Sequence, residues 1–158
     1  MLKSIRKELL DEIALLSDRQ LNTKPSEDTW SVAQVLRHLI LLDEASLPSI
    51  KRAVEGNSER VAEKKLDFVL NRTNKVKSPL PEPSTEFITK EDLLKILDHS
   101  RTPLLALIDE NRDGTDLENK SMEHPVFGPL SIKQMLEFIS LHEKRHIEQM
   151  KEIKESIL

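Results

Sequence analysis

Two histidines near the C-terminus, His142 and His146, are four residues apart in a segment whose apolar spacing predicts a helix. Four residues turn an α-helix through about 400°, so both imidazoles leave the same face, roughly 6 Å apart along the axis. The apolar residues on the same stripe are Met135, Ile139, Met150 and Ile153. Imidazoles that face a core need polar partners. A divalent metal ion is the most economical single partner for two of them.

A third histidine, His38, lies on the apolar stripe of an earlier predicted helix, with Val35 and Leu42. If the two helices are antiparallel, the start of one lies beside the end of the other. At 1.5 Å per residue, His38 is roughly 10 Å from the start of its helix, and His146 is roughly 15 Å from the end of its own. These depths agree, so we expect three imidazoles to converge at one end of a bundle.

Three neutral imidazoles would leave a divalent cation with its full positive charge and at least one open position. Such a centre acidifies what binds there, and zinc-bound water reaches a pKa near 7. A small thiol would likewise bind as thiolate. That thiol must come from outside, because the chain has no cysteine.

Apolar periodicity predicts four helices, over about residues 2–20, 31–54, 89–111 and 130–158, and a short helical piece over 59–70. Ser31 with Gln34 matches a capping box, and Ser131 with Gln134 repeats it. The proline-rich stretch Lys77–Ser84 cannot be helical, so residues 57–88 form a long crossover between the second and third helices. The predicted fold is an all-α four-helix bundle with residues 1–158 as its single domain.

Composition excludes several classes of protein. The formal net charge is −4 and the isoelectric point is about 5.8, so there is no basic field for nucleic acid. The absence of cysteine excludes disulfides, thiolate ligands and a cysteine nucleophile. No apolar run approaches the ~18 residues of a membrane span, and the N-terminus lacks a signal-peptide core. We expect a cytoplasmic protein with neither nucleic acid nor membrane as a partner.

The segment His124–Gly128 is the remaining notable motif, in the loop 113–129 before the last helix. We expect it at the bundle end opposite the three histidines, where Phe127 would fill the end of the core. Gly128 and Pro129 would make the turn. Whether His124 takes part in chemistry is left open by the sequence.

Three further polar residues are weaker candidates. His99 is expected at the surface of the third helix. Asp43 and Glu44 are within two turns of His38, so either carboxylate could accept a proton near a metal ion, although solvated surface positions are the simpler expectation. The sequence assigns no catalytic residue.

Three motifs together resemble the DinB/YfiT-like superfamily over nearly the whole chain: Trp30-Ser31 with His38, His124-Pro125-x-Phe127-Gly128, and His142-x-x-Arg145-His146-x-x-Gln149. The resemblance implies a four-helix bundle with up-down-down-up topology and a homodimer. It also implies a divalent metal ion, often nickel or zinc, with His38, His142 and His146 as its ligands.

The resemblance implies an activity only in outline. Some members are S-transferases that use bacillithiol or a related low-molecular-weight thiol as co-substrate, and others are described as metal-dependent hydrolases without a demonstrated substrate. We expect a small-molecule substrate, with specificity set by residues 57–88 and the helix ends. Two alternatives remain: a non-catalytic bundle that binds metal for stability or sensing, and a helical interaction module with buried histidines. Spacing reveals no fourth ligand, which favours an open site.

Overall fold

Four long helices dominate the computed structural model, which describes residues 1–73, 78–111, 113 and 115–158. In chain order the elements are α1 (Leu2–Ile13), α2 (Asp18–Leu21), α3 (Val32–Glu55), a 3₁₀ turn (Asp67–Leu70), α4 (Lys90–Glu110), α5 (Thr115–Asn119), β1 (Ser121–His124), β2 (Gly128–Ser131) and α6 (Ile132–Ile157). The four long helices α1, α3, α4 and α6 confirm the predicted helical class.

Two predicted segments extend beyond the described residues. Lys77 of the predicted proline-rich stretch and Gly114 of the predicted loop lie outside them. Within the described ranges, no helix has the length and apolar character needed to cross a membrane.

Serine caps begin two of the long helices at the predicted places. Ser31 Oγ accepts a hydrogen bond from the Gln34 backbone N–H at 3.1 Å, and Gln34 Oε1 accepts one from the Ser31 N–H at 3.1 Å. This reciprocal pair confirms the first capping box. Ser131 Oγ accepts from the Gln134 N–H at 3.0 Å. The Gln134 side chain does not complete the second box, because it binds the crossover.

The first helix is shorter than predicted. α1 ends at Ile13, and the expected continuation to residue 20 is wrong because Ser17 is extended and caps α2. Ser17 Oγ accepts from the Gln20 N–H at 3.1 Å, and Gln20 Oε1 accepts from the Ser17 N–H at 2.9 Å. A capping serine satisfies backbone groups outside a continuous helix. Leu16 is nevertheless buried, which preserved the apolar periodicity across the break.

The crossover, residues 57–88, contains less helix than predicted. The expected helix over 59–70 is wrong, since only Asp67–Leu70 form a 3₁₀ turn. Gln134 Oε1 accepts from the Lys64 N–H at 2.8 Å, and Gln134 Nε2 donates to the Lys64 carbonyl at 2.6 Å. A side chain from α6 thus pairs backbone groups that a helix would have paired internally.

The crossover is held at its other end by the matching residue of α3. Gln34 Nε2 donates to the Pro83 carbonyl at 3.3 Å. The glutamines that follow the serine caps of α3 and α6 therefore both bind the crossover, Gln134 near its beginning and Gln34 near its end.

The loop predicted over 113–129 contains the short helix α5 and a two-stranded hairpin. β1 and β2 are antiparallel, with Ser121 opposite Ser131 and His124 opposite Gly128. Gly128 has a φ of +71°, a conformation that favours glycine, but it is the first residue of β2, and residues 125–127 form the turn, so the predicted turn at Gly128 and Pro129 is wrong. Pro129 belongs to β2 and not to the turn. Alternating apolar residues are too few here to predict strands from sequence.

Two clusters of buried apolar side chains fill the bundle. One includes Leu36 of α3, Leu97 of α4 and Met150 of α6. The other includes Ile50 of α3, Leu104 of α4 and Ile139 of α6. The beginnings of α3 and α4 therefore share a cluster with the end of α6.

Each long helix contributes one charged side chain to a buried network of Arg6, Asp43, Arg101 and Glu143. Arg101 pairs with Asp43 Oδ2 at 2.9 Å and with Glu143 Oε2 at 2.6 Å, and Arg6 pairs with Glu143 Oε1 at 2.7 Å. The expectation that Asp43 is solvated is wrong, because two guanidinium groups balance the two carboxylates inside the bundle. Glu44 is exposed, as expected.

Candidate metal centre

The three predicted histidines meet between α3 and α6. His142 Nε2 lies 3.2 Å from His38 Nε2 and 3.1 Å from His146 Nε2. One ligand atom from each ring lies within 4.8 Å of the others. The structure thus brings together imidazoles that are 104 residues apart along the chain, and their role as metal ligands stays a prediction.

The spacing of these nitrogens fits a shared cation. Metal–nitrogen bonds of about 2.0–2.1 Å, at angles between 90° and the tetrahedral value, separate two ligand nitrogens by about 2.9–3.4 Å. The His38–His142 and His142–His146 separations both fall within that range, and the third pair of ligand atoms lies within 4.8 Å. In a neutral imidazole, His142 Nε2 carries either one proton or one lone pair, so it cannot form an ordinary hydrogen bond with both neighbours. A cation that accepts the Nε2 lone pairs would remove this conflict.

The histidines of α6 lie at the edge of the core and not within it. His142 and His146 are half-buried, whereas His38 is buried. The buried positions in this part of α6 are Glu143 and Ile147. Because Glu143 joins the ion-pair network, that network sets the rotation of α6 that turns the neighbouring His142 toward α3.

Two neighbouring side chains orient the rings. The Trp30 ring lies 5.3 Å from the His38 ring. His146 Nδ1 lies 2.7 Å from Gln149 Oε1, and an amide oxygen only accepts, so Nδ1 carries the proton and the Nε2 lone pair is free. In the part of the chain that the structure describes, the buried Nδ1 atoms of His38 and His142 have no such partner.

Replacing Gln149 by alanine is expected to weaken metal binding by about 10–100-fold, because the partner that orients a ligating histidine is lost. Competition with a chromophoric chelator measures the affinity. Gln149→Glu is the matched control, since its carboxylate still accepts from His146 and should retain most of the affinity. Equal affinities for Gln149→Ala and the wild type would contradict this role.

Burial keeps the three imidazoles uncharged. It lowers the pKa of His38, and it lowers the pKa of His142 well below the ordinary value, with further lowering by the neighbouring His146 and His38. It also lowers the pKa of His146 to about 3, although the bond with Gln149 opposes that shift. Three lone pairs are therefore available to a cation at neutral pH.

Metal-free protein is expected to lose stability as the pH falls below about 6.5. In the unfolded chain each of these imidazoles takes up a proton near that pH, whereas in the folded chain it stays neutral, at a cost of up to about 1.4 kcal/mol per imidazole and pH unit. Urea unfolding at pH 7, 6 and 5 in the presence of a chelator measures this loss. His146→Ala, which removes one of the three imidazoles, should give a shallower slope than the wild type. A free energy of unfolding that is flat over this range would contradict the prediction.

The segment His124–Gly128 lies beside the histidine cluster, so the expectation that it occupies the opposite end of the bundle is wrong. The His124 ring lies 4.7 Å from the Phe138 ring, which lies 5.6 Å from the His142 ring. Phe127 is half-buried against His124 and does not close the end of the core. The hairpin causes the difference, because it folds this segment back along α6.

The remaining candidates stay outside the centre. His99 is exposed on α4, as predicted. Among residues 1–73, 78–111, 113 and 115–158, no Asp or Glu joins the three histidines as a fourth ligand group. Phe138 was not among the predicted residues, although it precedes His142 by four residues on α6, a spacing that puts both side chains on one helix face.

The fold and the site define a helical bundle with a three-histidine cluster between two of its long helices. A family model, the DinB superfamily, matches residues 1–150. The uncharacterized protein YuaE of Bacillus subtilis (strain 168) is 40% identical over 154 residues, covering 96% of this chain and 94% of YuaE. The chain therefore belongs to the DinB superfamily.

Two solved structures share the fold. TT2238, a four-helix bundle protein, has a TM-score of 0.63 at 20% identity, covering 95% of this chain and 92% of its own. YfiT from Bacillus subtilis has a TM-score of 0.66 at 17% identity, covering 98% of this chain and 82% of its own. YfiT is described as a probable metal-dependent hydrolase with an unusual four-helix bundle topology.

Proposed function

We propose that this protein is a metal-dependent hydrolase whose divalent cation is held by His38, His142 and His146. The observation that carries the proposal is the approach of three neutral Nε2 atoms at separations of 3.1 and 3.2 Å. The description of YfiT as a probable metal-dependent hydrolase supports it.

The proposal includes the up-down-down-up order of the long helices. The shared core clusters support it, because the beginnings of α3 and α4 pack with the end of α6. In that order α3 and α6 are antiparallel, which places His38, near the start of α3, beside His146, near the end of α6.

The chain's own residues would have two tasks. His38, His142 and His146 supply neutral donors, so no protein charge cancels that of the cation. Gln149 holds the proton of His146 on Nδ1. When bound, the cation supplies Lewis acidity that lowers the pKa of a water or thiol ligand.

Hydrolysis joins the oxygen of water to the acyl carbon of the substrate, and the leaving group departs with a proton. Transfer of an external low-molecular-weight thiol, such as bacillithiol, to an electrophile would use the same three donors and is the second reaction to test. Nickel or zinc as the native metal, a homodimer and a cytoplasmic location stay predictions.

Metal-free protein loaded with zinc or nickel tests the proposal. We expect one metal ion per chain and turnover in a panel of nitrophenyl esters and acyl amides, both lost in His142→Ala. Bacillithiol with 1-chloro-2,4-dinitrobenzene tests the transfer reaction. Stoichiometric metal with thiol transfer and no hydrolysis would replace the hydrolase by a transferase, and metal without either turnover would favour the non-catalytic bundle.

A further inference from the structure

Most aromatic side chains of this protein surround the histidine cluster. The chain has four phenylalanines, one tryptophan and no tyrosine. Trp30 contacts His38, and Phe138 contacts His142. Further ring contacts join Phe138 to Phe127 at 5.5 Å and Phe127 to Phe68 at 5.4 Å, and the His124 ring contacts both Phe127 and Phe138. We call Phe68, Phe127, Phe138 and His124 the aromatic wall.

The outer part of the aromatic wall is exposed. The Phe68 residue is 55% exposed, and Val126 beside Phe127 is 56% exposed. The buried core is built from leucine, isoleucine, valine, methionine and one alanine, and Phe138 is the member of the wall that packs against it among the described residues. Because Phe68 is exposed, it contributes little to the stability of the core. It stands at the outer end of a row of rings that reaches His142, a position from which it could contact a bound ligand.

Side chains anchor the backbone on both sides of the wall. Lys64 Nζ donates to the Phe127 carbonyl and to the Pro129 carbonyl, the latter at 2.7 Å. Arg145 Nη1 donates to the Val69 carbonyl at 2.9 Å. The segment that carries Phe68 and the hairpin that carries Phe127 are therefore both fixed, which lowers the entropy cost of binding an apolar group against their rings.

His124 adds one polar group to the wall. Its Nδ1 accepts hydrogen bonds from the Val126 N–H at 3.0 Å and the Phe127 N–H at 3.3 Å. The proton of the neutral ring is therefore on Nε2, and burial lowers the pKa of this imidazole. Among the described residues, no side chain or carbonyl accepts from that Nε2–H, so it can donate to a ligand.

We propose that the aromatic wall is the substrate-recognition surface of the enzyme, an inference that rests on the proposed function. It takes a small substrate that carries an aryl or similarly large apolar group against Phe127 and Phe68. An acceptor oxygen of the substrate binds the His124 Nε2–H, while the reacting group lies at the three histidines. Few convergent polar groups in an apolar surface are typical of small-molecule sites.

Two hydroxamates test this assignment, because both bind zinc through the same group and differ in their apolar part. Calorimetry with zinc-loaded protein compares benzohydroxamate with acetohydroxamate. We expect benzohydroxamate to bind at least about 10-fold more tightly, because its phenyl ring buries more apolar area. In Phe127→Ala the ratio should fall to below about 3-fold. A wild-type ratio near one would overturn the proposal.

Two variants sharpen the test. Phe87→Ala is the matched control, since Phe87 is exposed and makes no ring contact with the wall among the described residues, and it should keep the wild-type ratio. His124→Asn retains an acceptor for the turn and removes the outer donor. It should weaken both hydroxamates by about 2–10-fold with their ratio unchanged. Unchanged affinities would overturn the assignment of His124.

The test separates this inference from the function on which it rests. Protein that takes up no zinc would defeat the metal centre itself, whereas stoichiometric zinc with equal hydroxamate affinities would defeat only the wall. Light scattering of the wild type and of Phe68→Ser measures their oligomeric states, and so tests whether a second copy of the chain covers the wall. A dimer that Phe68→Ser converts to monomers would show that a second copy covers the wall, and would overturn the proposal.

Discussion

Replacing Arg101 by methionine is expected to lower the free energy of unfolding by about 3–5 kcal/mol. Arg101 contacts both carboxylates of the buried network, at 2.9 Å to Asp43 and 2.6 Å to Glu143. Its loss leaves two buried carboxylates with Arg6 alone. Burial already raises the pKa of Asp43, and Arg101 opposes that rise. Urea unfolding followed by circular dichroism measures the loss.

Lys95→Met is the matched control for Arg101→Met, because it removes a cation from the same helix at the surface. The Lys95 side chain is 70% exposed and pairs with Glu91 at 3.3 Å, so less than about 0.5 kcal/mol is expected. Adding Asp43→Asn to Arg101→Met should recover part of the stability, since one uncompensated charge disappears. If Arg101→Met cost no more than Lys95→Met, the network would not hold the helices together.

Replacing His142 by alanine is expected to weaken zinc or nickel binding by about 10²–10⁴-fold. Protein zinc sites reach binding free energies on the order of 10–16 kcal/mol, of which one of three ligands supplies roughly a third. His142 is the central ring, with both short Nε2 contacts. Competition with a chromophoric chelator gives the affinity, and the metal-dependent rise in Tm should disappear with it.

His99→Ala is the control for metal binding, because His99 is an exposed histidine on another long helix. It should leave both affinity and Tm shift unchanged. Metal uptake by the His142→Ala variant at wild-type affinity would show that the cation binds elsewhere, and the three-histidine centre would have to be abandoned.

The four long helices and the convergence of His38 with His142 and His146 were predictable from sequence. Both follow from local signals: apolar spacing, serine caps and a fixed rise per residue, which place a side chain along a helix without knowledge of its neighbours. The predicted end near residue 54 and the predicted start near residue 89 agree with the structure, where α3 ends at Glu55 and α4 begins at Lys90.

The errors occur where contacts distant in sequence decide the structure. Asp43 was expected in solvent because an aspartate seldom occupies a core, and nothing local shows that Arg101, 58 residues later, balances it. The predicted helix over 59–70 does not form, because Gln134 and Arg145 of α6 hydrogen-bond to the backbone of this segment. The hairpin placed His124 beside the site because strand pairing, and not helix periodicity, governs that segment.

Hydrogen bonds hold the crossover at two points, from Gln134 to Lys64 near its beginning and from Gln34 to Pro83 near its end. Phe68 belongs to the stretch between these two points. That stretch could therefore be replaced by one of another length without moving α3 and α6, which carry the three histidines. Because the entropy of loop closure changes only slowly with loop length, such a replacement would change the free energy of unfolding little. Substrate preference could thus diverge through changes between Lys64 and Pro83 while the three histidines keep their positions.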